Sequence, residues 1–488
     1  MKILVIPTYA ILALLGVVAF TWVGRAAETA SRPNLVVILV DDLGYGDLGC
    51  YGSQVNRTPN IDGLAREGLL FTNFCACASF CTPSRAALMT GCYPQRVGLS
   101  QGLHPGEGRG LNPDEFNLAM LAKSEGYATA CVGKWHLGDQ LPFLPIRQGF
   151  DDYFGIPYSN DMGNGSQGGR GKSSDGKWMY PPLPLIDHET VVEQEPDQST
   201  LTDRFTERAV SFITQHQDSP FFLYLPHMDI HSKRHPPQRF MAKSGNGDYG
   251  AAVEHVDWST GRILETIEHL GLGKKTLIVF TSDNGASENQ EAGSNKPLRG
   301  GKLTPYEGGF RVPCIMKWSG RIAAGGTCRE LATMMDILPT FAELTGANTD
   351  RLPTIDGKTI LPLMEDPTRA RSPHESFFYF HGDRLQAVRS GKWKLFVVPR
   401  AKSRLQKPPP GEKGVLEPAM QLYDLEADIG ETTDVAAQNP EAVERLARLA
   451  EQCVADLSGG RKGIGGAGCR PAGTVQHPTT IDALGELD

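Results

Sequence analysis

The chain has 488 residues, 40% of them apolar and 21% charged, which is enough for a large core plus a smaller domain and excludes a disordered chain. Its net charge of −8 argues against nucleic acid as the main partner. An acidic protein of this kind that binds an anion must gather positive charge locally.

The N-terminus, residues 1–27, reads as an export signal. Lys2 supplies a minimal positive region, Ile3 to Val23 is apolar apart from Thr8, Tyr9 and Thr21, and the small residues Gly24, Ala26 and Ala27 follow as a cleavage site. The apolar stretch is also about long enough to span a bilayer, so an uncleaved anchor is the competing reading. No later segment looks transmembrane. These features predict an exported protein, periplasmic, lumenal or extracellular, with no stable membrane insertion once the signal is removed.

Residues 32–372 read as one large α/β domain. Leu35 to Val40 is a continuous apolar run that stops at Asp41-Asp42. Ala128 to Val132 stops at Gly133-Lys134-Trp135-His136, Phe221 to Leu225 leads to His227 and His231, and Thr276 to Thr281 leads to Asp283-Asn284. Such runs suit strands buried on both faces, as in a parallel sheet. Helical patterns lie between them, at Thr58 to Gly68 and Thr202 to Gln215. The alternation predicts a mostly parallel sheet sandwiched by helices. In such sheets ligands sit beyond the carboxyl ends of the strands, and here all four ends deliver charged or imidazole groups. Pro83 suits the first turn of a helix running to Met89, which places Cys81 just before a helix N-terminus, where partial positive charge favours anions. From Asn160 to Gln198 the pattern breaks into glycines and a Pro181-Pro182-Leu183-Pro184 run, read as a long surface excursion near the site.

Residues 373–488 read as a smaller C-terminal α+β subdomain and tail. Phe377 to Phe380, Leu385 to Val388, Lys392 to Val398 and Leu422 to Leu425 look like strands of an antiparallel sheet, and Pro440 to Leu457 has helical periodicity. The Gly-rich stretch from Ser458 reads as a poorly packed tail. The chain has ten cysteines, a number that permits disulfides in an oxidising compartment, with Cys453/Cys469 and Cys314/Cys328 as the candidate pairs. Cys75-Ala76-Cys77 lacks the spacing of a zinc knuckle.

The strand ends define a candidate site. Asp41, Asp42, Asp283 and Asn284 form an oxygen-only donor set, which selects a hard cation, calcium or magnesium, and not zinc. Calcium tolerates an irregular shell better. Taken singly, Asp41-Asp42 and Asp283-Asn284-Gly285 are ordinary turn sequences; their equivalent placement at strand ends is what favours a metal. Positive groups come from Arg85, Lys134, His136, His231 and Lys302, the last in the turn-like Leu298-Arg299-Gly300-Gly301-Lys302. His231 and His235 mimic a zinc pair, but Pro236-Pro237 follows and no HExxH pattern exists.

Cys81-Thr82-Pro83-Ser84-Arg85 joins these residues to a known family. With DDLGYGDLGCYG from Asp41, CTPSRAALMTG from Cys81, GKWHLG, GIPYSND (Gly155 to Asp161), SDNGA and LRGGKLTPYEGGFRVP (Leu298 to Pro313), the chain resembles the type I sulfatases of the alkaline phosphatase superfamily. The arylsulfatase A and N-acetylgalactosamine-6-sulfatase branch is the most similar. The resemblance runs from about Pro33 to Leu457. It implies an alkaline phosphatase-like fold and formylglycine at residue 81, made from Cys81 by a formylglycine-generating enzyme. It also implies calcium (Ca2+) held by Asp41, Asp42, residue 81, Asp283 and Asn284. Arg85 would hold the hydrated aldehyde, Lys134, Ser159, His231 and Lys302 would bind the sulfate group, and His136 would assist release.

The implied chemistry has a physical rationale. One hydroxyl of a hydrated aldehyde attacks sulfur, with Asp283 taking its proton and His231 or Lys302 protonating the leaving alcohol. The second hydroxyl then lets the hydrate collapse with His136 as base and eject sulfate, an exit closed to an ordinary serine ester. The expected function is hydrolysis of a sulfate monoester, the natural substrate being a sulfated small molecule or carbohydrate. A phosphodiester or phosphonate monoester hydrolase of the same superfamily is the second reading. A non-catalytic sulfated-glycan binder is the third, and it predicts missing site groups, of which the sequence shows none.

Overall fold

The computed structural model describes residues 32–163, 171–172, 178–288, 292–348, 353–398, 400–401, 416–417, 419–458, 465–481 and 483–487. The export signal expected at residues 1–27 lies outside the described residues.

All four apolar runs form strands, and they are neighbours. A 12-stranded sheet contains, in central order, Thr276–Ser282, Asn34–Val40, Phe221–His227, Ala128–Lys134 and Asp152–Ile156, all mutually parallel. Antiparallel strands Arg311–Lys317 and Leu69–Cys75 extend one side, and Pro184–Asp187 with Thr190–Gln194 extend the other. Alternation explains the continuous hydrophobicity. Leu35, Val37 and Leu39 enter one core, and Val36, Ile38 and Val40 enter the other.

Helices cover both faces. Pro59–Glu67, Gln198–Gln215 and Gly247–His269 pack over the second core. Cys81–Thr90, Leu118–Ser124 and Ile337–Thr345 pack over the first. This is an alkaline phosphatase-like α/β sandwich. The C-terminal region forms a separate four-stranded antiparallel sheet, Phe377–His381, Arg384–Ser390, Trp393–Phe396 and Gln421–Asp424, backed by Pro440–Cys453.

Three expectations are corrected. Part of the excursion after Asn160 is sheet, because Ile186 and Val191 bury against the core and zip as a hairpin. The tail after Ser458 is packed: Gly473 and Thr474 pair with Gly110 and Arg109, and Gly485 and Glu486 pair with Val191 and Thr190. All ten cysteines are free thiols. Cys314 and Cys328 both register against Phe71, on opposite sides of its strand. Two strand spacings of about 4.8 Å separate their backbones, beyond disulfide reach. Cys469 instead donates to the carbonyls of Asp456 and Leu457, at 3.8 and 3.3 Å.

Candidate active site

Register brings the strand ends together. Val40 lies between His227 and Ser282, so Asp41-Asp42 and Asp283-Asn284 leave the sheet side by side. Lys134 ends the next strand but one. Gly133 makes this possible: its φ is +128° and a Cβ would meet the Pro226 carbonyl oxygen at 2.2 Å. Gly285 lets the segment carrying Lys302 approach, since a Cβ there would lie 1.7 Å from the Gly308 oxygen. Lys302 N then donates to the Ala286 carbonyl at 3.0 Å.

Cys81 begins its helix, and its Sγ lies 3.2 Å from Asp41 Oδ1 and 3.7 Å from Lys302 Nζ. Ligand atoms of Asp41, Asp42, Cys81 and His231 all lie within 4.8 Å of one another. Arg85, one helical turn on, is fully buried; it donates Nε and Nη2 to Asp283 Oδ2 at 3.1 and 3.0 Å and Nη1 to the Lys134 carbonyl at 2.6 Å. Lys134 Nζ donates to Asp41 Oδ2 and, at 3.0 Å, to Ser159 Oγ. Lys302 Nζ donates to Asp42 Oδ2 at 2.7 Å, and Asn284 Nδ2 to Asp42 Oδ1, also at 2.7 Å. His231 Nε2 lies 3.9 Å from Asp42 Oδ2. His235, the other half of the apparent zinc pair, is exposed.

Burial sets the electrostatics. It works to raise Asp41, but Lys134, with His231, Arg85 and Lys302, holds that carboxyl well below the usual range. Burial and Asp41 push Asp283 up to about 7, against the pull of Arg85. Burial, then Asp41, push the Cys81 thiol far up, so an unmodified Cys81 stays protonated and is a poor nucleophile. Burial, then Lys134 and Arg85, lower His136, which is neutral. His136 Nε2 lies 3.0 Å from the Leu103 carbonyl and must carry the proton, which leaves Nδ1 as a buried acceptor without a partner among the described residues.

The donor set fits a hard divalent cation on two counts. Asn284 Oδ1 is buried and has no hydrogen-bond partner among the described residues. The carboxylates of Asp41, Asp42 and Asp283 face the cations of Arg85, Lys134 and Lys302, so the protein groups alone give little positive surplus for an anion. A divalent ion supplies both the missing partner and the surplus.

The structure thus draws Asp41, Asp42, Cys81, Arg85, Lys134, Ser159, His231, Asp283, Asn284 and Lys302 into one hydrogen-bonded cluster, with His136 at its edge. Sequence reasoning passed over Asp161, inside the GIPYSND motif, whose Oδ1 lies 3.9 Å from His231 Nδ1. Its only sequence signal was its place two residues after Ser159.

Such a cluster at the carboxyl edge of an alkaline phosphatase-like sheet defines a hydrolase of anionic esters. The chain belongs to the sulfatase family: the Sulfatase family model matches residues 33–347, and the C-terminal region of aryl-sulfatase matches residues 372–477. It is 39% identical over 447 residues to arylsulfatase A of Homo sapiens, covering 86% of this chain and 87% of that one. It is 38% identical over 394 residues to N-acetylgalactosamine-6-sulfatase of Mus musculus, covering 76% and 73%. The solved structure of Ps i-CgsB in complex with k-i-k-neocarrahexaose superposes with a TM-score of 0.72 at 30% identity, covering 86% of this chain and 92% of that one. The protein is a sulfatase of the arylsulfatase A branch, and it hydrolyses sulfate esters. No described helix is long and apolar enough to cross a membrane.

Proposed function

We propose that the protein is an exported sulfatase acting on the sulfate monoester of a carbohydrate, with residue 81 matured to formylglycine and calcium in the acidic cluster. The observation that carries the reading is the placement of Cys81. It sits at a helix N-terminus between Asp41 and Lys302, where burial keeps a thiol protonated and Arg85 lies one turn behind. A cysteine there serves better as a precursor than as a nucleophile. Asp41, Asp42, Asp283, Asn284 and residue 81 would hold calcium, which when bound polarises sulfate oxygens. The matured residue 81 would supply a hydrated aldehyde as nucleophile.

The rest falls to the chain's own side chains. The Lys134 and Lys302 ammoniums bracket the sulfate, and Ser159, fixed by Lys134, adds a hydroxyl donor. Arg85 fixes Asp283 and the floor of the pocket. His231 Nδ1 lies 2.7 Å from the Ser232 carbonyl and carries its proton there, so Nε2, facing Asp42, is the atom that exchanges a proton with the substrate. His136 Nδ1, free as an acceptor, takes the proton in the release step. Each positioned acid or base contributes roughly 10²–10⁴ in rate.

Peptide mass spectrometry across residue 81 is the direct test, since an unmodified thiol in fully active protein would sink the formylglycine reading. Chelation should abolish turnover, with calcium restoring it better than magnesium; full activity in metal-free protein would remove the cation from the scheme. Turnover of nitrophenyl sulfate, phosphate and phosphonate compared side by side should favour sulfate.

A further inference from the structure

The sulfate pocket opens on one side. The side chains of Asp41, Asp42, Arg85 and Lys134 are at most 1% exposed, whereas those of His231 and Lys302 are 11% and 12% exposed. The alcohol portion of a bound ester therefore lies against His231 and Lys302. Asp161 is the carboxylate next to His231 on that side, and it is 40% exposed. Its 3.9 Å separation from His231 Nδ1 is too long for a hydrogen bond. Nδ1 is already engaged by the Ser232 carbonyl at 2.7 Å, with Ser159 Oγ at 3.5 Å. Among the described residues no hydrogen-bond donor reaches Asp161, so its acceptor oxygens are left for a group in the mouth.

The position of Asp161 is fixed. Its neighbour Asn160 is buried and donates to the Lys233 carbonyl at 3.0 Å and to Gln198 Oε1 at 3.2 Å, tying this turn to the His231 loop and to the helix Gln198–Gln215. The Met162 N–H closes the turn on the Ser159 carbonyl at 2.9 Å. Tyr180 lies within the electrostatic reach of Asp161. It stacks on His104, with ring centroids 6.0 Å apart and planes at 6°, and the two share a 3.1 Å hydrogen bond. Next to His104, the Leu103 N–H donates to Thr82 Oγ1 at 3.3 Å, which sets the ring pair beside the start of the Cys81 helix. Among the described residues the mouth offers the Asp161 carboxylate and one flat, amphipathic surface, with Glu107 acting on Tyr180 as Asp161 does.

We propose that Asp161 selects the leaving alcohol, accepting a hydrogen bond from a hydroxyl or amide N–H next to the scissile sulfate ester and rejecting a second anion at that place. Resting on the sulfatase reading above, this names the substrate class: a sugar sulfate that is uncharged around the scissile group, not a polysulfated or uronate-flanked one. A hydrogen bond to an ionised acceptor is the stronger kind, and a site built around it discriminates sharply against a leaving group that lacks the donor. A second sulfate or carboxylate there meets a like charge and loses affinity.

The test compares Asp161→Asn and Asp161→Ala with the parent protein on galactose 6-sulfate, galactose 4,6-disulfate and 4-nitrophenyl sulfate, which has no neighbouring hydroxyl. Asp161→Ala should lower the kcat/KM ratio of galactose 6-sulfate to 4-nitrophenyl sulfate by about 10–100-fold. Asp161→Asn should raise the ratio of disulfate to monosulfate by about tenfold. Proportional losses on all three substrates would mean that Asp161 acts only through His231, and unchanged ratios would mean that it does nothing; either overturns the proposal. Calorimetry on Cys81→Ala protein reads the same preference without turnover. There galactose 6-sulfate should bind more tightly than the disulfate, and adding Asp161→Ala should erase the difference. Equal binding, or none, overturns the proposal, whereas an inert parent protein whose Cys81→Ala form shows the preference would count against the sulfatase reading alone.

Discussion

Arg85 shows how much of this site depends on one side chain. Its guanidinium spans Asp283 and the Lys134 carbonyl with three donors and touches Asp41 at 3.5 Å, wholly out of water. A lysine carries the same charge but lacks the planar fork that fills these positions together. Arg85→Lys should therefore leave a buried acceptor short of a partner, at a cost of about 1–3 kcal/mol. It should also reduce kcat/KM by at least about 10², the order of effect seen when a preorganised donor is lost. Denaturant melts and steady-state kinetics check both, and a variant with parental values would show that Arg85 is replaceable. His255 gives a pH prediction away from the cluster. Burial lowers it, but a hydrogen bond to Asp203 at 2.9 Å and the Asp229 carboxylate 3.1 Å from Nδ1 more than reverse this and raise it above the usual histidine value. Arg239 also pairs with Asp203, and His227 lies 3.9 Å from Asp229. A raised folded value means that stability is fully present below the unfolded value of pH ~6.5 and is lost as pH rises through the higher folded value, at about 1.4 kcal/mol per unit of elevation. The melting temperature of the parent should fall between pH 6 and 9, and that of His255→Gln should fall less; identical slopes would rule out the contribution. Legibility at this scale followed chemistry. Asp41-Asp42 and Asp283-Asn284 stood out because charge at the end of an apolar run is costly unless it has a use, whereas a lone Asp161 in a turn looks like any turn residue.

At the scale of elements, the small C-terminal sheet braces the loop that presents Lys302. Lys394, from the small sheet and fully buried, donates to Glu307 Oε1 at 3.0 Å and lies 2.9 Å from Glu431 Oε1. Tyr379 adds a 2.6 Å hydrogen bond to Glu307, and Arg299 Nη1 reaches the Glu431 carbonyl at 2.8 Å. Burial works to raise Glu307, but Lys394, Arg389 and Arg311 hold it down at about 2. Removing the shared cation strips Glu431 of its buried ion-pair partner and leaves Glu307 to the more distant Arg389 and Arg311, at 3.5 and 3.8 Å, so Lys394→Met should destabilise by about 3–5 kcal/mol. Because Glu307 and Arg299 flank Lys302 in one loop, activity should fall along with stability. A double variant, Lys394→Met with Glu307→Gln, should recover part of the loss; a cycle without coupling would show that the three groups act independently. The small-sheet strands Trp393–Phe396 and Gln421–Asp424 were legible from their apolar runs, whereas Arg311–Lys317, which follows Glu307, was not read. The contact was not, because it joins residues 307, 394 and 431 across two sheets, and no local spacing encodes such a meeting.

For the whole molecule, the C-terminal tail is a strap across the loops behind the site. Arg470 pairs with the nearly buried Glu115 at 2.7 Å, Val475 N donates to the Gly108 carbonyl at 2.9 Å, and Thr479 exchanges hydrogen bonds with Gln140 at 2.8 and 2.9 Å. Gln140 in turn donates to Asp139, which accepts from Gly106 N at 2.6 Å. Three residues before Gly106 in the same loop is Leu103, whose carbonyl holds His136 and whose N–H donates to Thr82 Oγ1 beside Cys81. The tail escaped sequence reading because strands of two residues carry no periodicity, and glycines read as punctuation. In the fold those glycines are required by proximity: a Cβ on Gly473 would lie 2.5 Å from the Phe143 ring. Ending the chain at Ala472 removes the strand pairings and the Gln140 contact but keeps Arg470. The central parallel strands retain their partners, and only the edge strand Thr190–Gln194 loses one, so the truncated protein should still unfold cooperatively. The loop Leu103–Leu111 should lose protection, because backbone hydrogen bonds exposed to water open locally at low cost. Hydrogen exchange should therefore speed up in peptides covering residues 103–111 and stay unchanged in the strand Asn34–Val40. Turnover should drop about tenfold through misplacement of His136, since small displacements of a catalytic group are enough to cost that much. If exchange in the loop matched the full-length chain, the strap would be ornamental, and the orientation of His136 would have to come from the strand before it alone.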